Sequence, residues 1–151
     1  MSDTDVFLEG LRARCLAYRE QVEELERSRK PGAGLLGLPG GVKDDPCHEV
    51  FAEDLSARLT EYAAAKPASA DVSRVLRFLF REPLETSYPL SAGWMLMAVQ
   101  GMARDLVPLL TPEDAAVLAA EYKKAYPRRM RFPTQQQLFK MLQSRAKGAT
   151  V

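Results

Sequence analysis

The chain is poor in the residues from which reactive sites are usually built. It has one histidine, His48, and two cysteines, Cys15 and Cys47. Two cysteines make no disulfide framework, and a reducing cytoplasm is the simplest setting for them. A single histidine rules out a di-metal site that needs one Glu-x-x-His motif on each of two helices. Long apolar runs are missing too. The longest uncharged stretch, residues 86–103, contains Ser87, Ser91 and Gln100. A membrane span wants about 20 mostly apolar residues, so this stretch reads as a buried helix and no membrane is expected. The opening MSDTDVFLEGLRARC has no basic flank ahead of an apolar core, and we read no secretory signal there.

What is present is ordinary globular material: 46% apolar and 27% charged residues in a chain of 151. A chain of that size can bury roughly 70% of its unfolded surface without help from a metal or a disulfide. The expectation is all-α: a single-domain bundle of about six helices around a buried central helix, residues 89–107. Within it, a long amphipathic helix (1–29) is joined by a Gly/Pro/Leu loop (31–43) to a helical core (44–147).

The helices announce themselves by caps and by period. Thr111-Pro112-Glu113-Asp114 combines an N-cap, proline at the first position and acids in the first turn. Thr134 with Gln137 has the spacing of a capping box. The run VLRFLF (75–80) does not alternate as a half-buried strand should, so a helix is expected from Ser69 or Asp71 to Glu82, ending before Pro83. The first helix carries a line of Leu8, Leu11, Cys15, Tyr18, Val22 and Leu25 in steps of three and four, the seam of a coiled coil. The loop that follows holds five of the nine glycines together with Leu35, Leu36 and Leu38. Leucines are unusual in a free linker. We therefore expect a partner surface made of Leu8, Leu11, Tyr18, Val22, Leu25, Leu35, Leu36 and Leu38.

The short motifs fail on context. Gly32, Gly34 and Gly37 fit G-x-G-x-x-G, but they follow a charged helix instead of a strand, and no Gly-Lys-Ser/Thr follows. Cys47 and His48 are neighbours on a helix and point about 100° apart, a poor dyad. His48 shares a face with Phe51 and Leu55 and reads as a half-buried structural histidine. Asp45, Glu49 and Glu53 read as an exposed acidic face near a helix start, where acids are favoured. Arg74, Arg77 and Arg81 form a stripe opposite the apolar residues of their helix. It is read as a solvated face paired with Glu82 and Glu85, although such a stripe can also clamp an oxyanion.

Charge is distributed unevenly. The net charge is +1, yet residues 121–151 hold eight basic residues against Glu121 alone, a charge of +7, which leaves −6 on residues 1–120. Such asymmetry points to an anionic partner. The anion-binding candidates are Lys123, Lys124, Arg128, Arg129, Arg131, Lys140 and Arg145, followed by a helix expected to expose Gln135, Gln136 and Gln143. The other explanation is internal: the +7 segment packs beside the −6 remainder, for instance against the acids of the second helix, and leaves no free patch.

No catalytic set, metal site or cofactor emerges. The first expectation is a non-enzymatic helical interaction module, binding another protein or a second copy of itself in the cytoplasm. The alternative is a nucleic-acid or polyanion binder working through the basic segment. An enzyme whose site is assembled from distant residues is the third.

Overall fold

A computed structural model describes residues 2–28, 48–86, 92–130 and 133–148; for 25–28, 48, 82–86, 92–97 and 130 it describes the backbone alone. Among these residues the chain forms α1 (Asp3–Ser28), α2 (His48–Ala64), α3 (Ser69–Thr86), α4 (Ala92–Ala103), α5 (Pro112–Ala125) and α6 (Pro133–Ala146), and no strand. The all-α, single-domain expectation holds. None of these helices is long and apolar enough to cross a membrane.

Local chemistry explains most boundaries. Thr111 is extended (φ −70°, ψ 156°), and its hydroxyl accepts from the backbone N–H of Asp114 at 3.2 Å, with Pro112 behind it. A cap of this kind is worth about 0.5–2 kcal/mol. At the end of α2, Lys66 takes a left-handed φ of 52° and its N–H bonds the carbonyl of Ala63, after which Pro67 forbids continuation. Two ends differ from expectation. α3 runs through Pro83 to Thr86: proline removes one backbone bond, but its fixed φ is helical, so the helix continues. The fourth helix is α-helical only to Ala103 and then tightens into a 3₁₀ segment, Arg104–Leu109, that accommodates Pro108. α6 starts at Pro133, so Thr134 lies inside the helix and is not its cap.

One core joins all six helices. Val72, Val75, Leu76 and Leu79 of α3 are fully buried, as are Leu55 of α2, Val99 of α4, Leu118 of α5 and Leu142 of α6. Each buried Val or Leu contributes about 1.5–3 kcal/mol of transfer free energy. The seam of α1 belongs to this core. Leu11, Tyr18 and Val22 are at most 3% exposed. The Tyr18 ring stacks on Phe51 at 4.2 Å, Phe7 stacks on Tyr62 at 4.3 Å, and the Arg12 guanidinium sits 5.8 Å over the Phe78 ring. Of the expected partner residues whose side chains are described, only Leu8 stays partly accessible. The line's regularity comes from packing on α2 and α3 of the same chain. Leu25, Leu35, Leu36 and Leu38 lie outside the described side chains, as do Trp94, the glycine motif and the Asp45–His48 cluster.

Candidate functional site

α3 and α5 are clasped at their starts. The backbone N–H of Thr111 donates to Ser69 Oγ at 2.8 Å, and that hydroxyl donates to Asp114 Oδ2 at 2.5 Å. The first turns are thereby fixed side by side, and the helices run parallel from there. Arg77 meets Glu121 one register further on, and the Tyr126 hydroxyl donates to the backbone carbonyl of Phe80 at the far end. Parallel helices tied in this way leave a cleft of about 570 Å³ between residues 77–81 of α3 and the last turn of α5.

The walls of the cleft combine charge with rings. Arg77 Nε and Nη2 fork onto the two oxygens of Glu121 at 2.9 and 3.1 Å, a bidentate pair that fixes the guanidinium and holds its pKa above the ordinary arginine value. Arg81, one turn along α3, and Lys124, one turn along α5, line the same cleft. Both are exposed and join no ion pair among the described residues. Below them, Phe80 meets Tyr122 edge-on at 4.7 Å, and Tyr122 and Tyr126 are tilted with centroids 5.0 Å apart. Tyr122 is itself anchored in the core, where its hydroxyl donates to Gln100 Oε1 at 2.5 Å. The amide nitrogen of that glutamine is buried without a hydrogen-bond partner among the described residues.

The basic candidates fall into two groups. Lys123, Lys124, Arg128 and Arg129 are exposed at the end of α5 and in the short 3₁₀ turn Arg128–Met130. Lys140 is exposed on α6 beside a separate groove of about 540 Å³ lined by Val107, Pro108 and Met141. Arg145 is tied back, its Nε donating to the carbonyl of Leu110 at 2.7 Å. Arg131 lies outside the described residues.

Among the described residues no ion pair joins the basic segment to the acids of α2. Asp54 of α2 pairs with Arg14 and Arg58, Asp5 with Arg74, and Glu121 with Arg77. No described acid pairs with Lys123, Lys124, Arg128, Arg129 or Lys140. The partners described for Arg74 and Arg77 come from α1, from Asp71 and from α5; the side chains of Glu82 and Glu85, the expected partners of the stripe, lie outside the described residues. Gln135 was expected on the exposed face of α6 and is 1% exposed. It shares the i, i+3, i+4, i+7 face of Leu138, Phe139 and Leu142, so the helical period already placed it inside. Glu49 and Glu53 are exposed, and no group of three or more His, Cys, Asp or Glu among the described residues is placed to share a metal ion.

The cleft escaped sequence reasoning because its halves are 44 residues apart. Glu121, the lone acid of the basic segment, was the available signal. Compared with family models, with curated proteins and with solved structures, the chain has no match.

Proposed function

We propose that this chain is a helical binding module, not an enzyme, whose working surface is the basic edge at the ends of α3 and α5, and whose partner is a polyanion, nucleic acid in the first place. The observation that carries this reading is that Lys123, Lys124, Arg128 and Arg129 join no ion pair among the described residues, where the other described arginines are largely paired. Helix chemistry accounts for part of the cluster, since cations in the last turn of α5 offset its C-terminal dipole. That explains Lys123 and Lys124. It does not account for Arg128 and Arg129, which lie beyond the helix and join no ion pair among the described residues. Phosphate contacts by exposed cations release counterions and give salt-sensitive affinity. The test is retention on heparin and on an immobilised oligonucleotide. The intact chain should be retained at low salt, and the Arg128→Ala/Arg129→Ala variant should elute earlier with its fold unchanged. Absence of retention by the unaltered chain at low salt rejects the reading.

A second reading keeps the protein partner expected from the sequence, and the groove beside α6 favours it. Val107, Pro108 and Met141 give it an apolar floor and Lys140 stands at its edge. The occupant that fits is an amphipathic helix from another protein, with an acid opposite Lys140. A synthetic helix of that pattern should bind the chain and lose binding to Met141→Lys; no binding to the unaltered chain removes this reading.

A further inference from the structure

We infer that the cleft between the ends of α3 and α5 is a site for a phosphate monoester carried on a nucleotide-sized organic body. The inference rests on the basic-edge reading only in treating the unpaired cations as functional. Charge is the first argument. Arg77, Arg81 and Lys124 stand against Glu121, so the described lining of the cleft holds a net +2. A phosphate monoester carries about −1.5 to −2 at neutral pH and offers three strong acceptor oxygens. A phosphodiester carries a single charge and would leave the cleft half neutralised.

Preorganisation is the second argument. The fork from Glu121 fixes Arg77 in place, and Tyr126 is held by its bond to the Phe80 carbonyl. Two walls of the site are therefore rigid before a ligand arrives, while Arg81 and Lys124 have no competing partner among the described residues. Size is the third. A volume of about 570 Å³ far exceeds what an inorganic phosphate fills and falls in the range of small-molecule pockets, roughly 300–1,000 Å³. The surplus is bounded by Ala125 and by the half-buried Tyr126, an apolar wall suited to the body of the ligand.

The experiment titrates the full chain at low salt with adenosine 5′-monophosphate, adenosine and inorganic phosphate, followed by calorimetry and by amide chemical shifts. The monophosphate should bind saturably, move the amides of residues 77–81 and 121–126, and weaken as pH falls through about 6, where the phosphate loses its second charge. Adenosine should not bind, and inorganic phosphate should bind about tenfold more weakly or worse. Arg81→Ala and Lys124→Ala should each weaken the monophosphate about tenfold, the value of one charge-assisted hydrogen bond. Both positions are exposed, and unchanged melting of each variant shows the fold intact. Arg128→Ala/Arg129→Ala should leave monophosphate affinity unchanged while reducing oligonucleotide retention. Monophosphate binding without oligonucleotide retention rejects the basic-edge function and keeps the cleft. Oligonucleotide retention without saturable monophosphate binding rejects the cleft alone. Binding of inorganic phosphate as tight as the monophosphate, or binding unaffected by losing Arg81 and Lys124 together, also overturns the inference.

Discussion

Most described arginines of α1–α3 sit in ion pairs, and four exposed cations after Glu121 sit in none among the described residues. Arg14 and Arg58 converge on Asp54, Arg19 pairs with Glu23 one turn along at 2.9 Å, and Arg74 reaches both Asp5 and Asp71. Those charges tie helices together or stiffen a single helix. Lys123, Lys124, Arg128 and Arg129 join no ion pair among the described residues. Exposed ion pairs are worth only about 0–1 kcal/mol each, so pairing adds little to stability. Each region has its exception: Arg81 of α3 joins no ion pair among the described residues, and Arg145 of α6 donates to the Leu110 carbonyl.

The largest expected effect tests whether α1 is docked as described, because the pairs of the first region depend on it. Leu11→Ala should destabilise the chain by about 2–5 kcal/mol in urea denaturation. A loss of a few tenths would mean that α1 does not pack on α2 and α3, and the contrast between regions would break. Next comes the support beneath the basic edge. Tyr122→Phe removes the donor to Gln100 Oε1 and leaves the buried amide wholly unpaired, at a cost of about 1–3 kcal/mol. Adding Gln100→Leu should recover most of it, since an apolar pair needs no hydrogen bond; a double variant no better than the single one would contradict the bond. Stability should hardly respond to Arg128→Ala/Arg129→Ala, staying within about 0.5 kcal/mol. A larger loss would show that the second region is structural after all.

The smallest effect is electrostatic. The Arg74 guanidinium beside Asp5 lowers its carboxyl from 3.8 to about 2, with Ser2 adding hydrogen bonds. A depressed carboxyl stabilises the fold above its unfolded value and loses that contribution as pH falls through the folded one. The tie between α1 and α3 should thus be complete above about pH 4 and be lost toward pH 2. Carboxyl titration by NMR checks this, and a midpoint at the ordinary 3.8 would show the pair unformed.

Local signals carried much of the fold. The Thr111-Pro112 start, the three-and-four spacing of α1 and the Pro67 stop all depend on residues within a turn or two of each other. What stayed hidden was long-range. The seam of α1 announced burial but not its cover, because Phe51 lies 33 positions from Tyr18. The stripe of α3 announced charge but not its partners, which come from Asp5 and Glu121 as well as the nearby Asp71. The basic segment was legible as a count; that Arg145 is used internally while Arg128 and Arg129 are not depended on where Leu110 turns.

The most direct test sets the two regions against each other on one ligand. Anisotropy of a labelled single-stranded oligonucleotide is measured across a salt series with the unaltered chain, with Arg14→Ala/Arg58→Ala and with Arg128→Ala/Arg129→Ala. The account predicts that the first pair leaves affinity and salt slope unchanged, while the second flattens the slope by about 0.7 for each phosphate contact removed. Equal losses in both variants, or no binding by the unaltered chain at low salt, would contradict it.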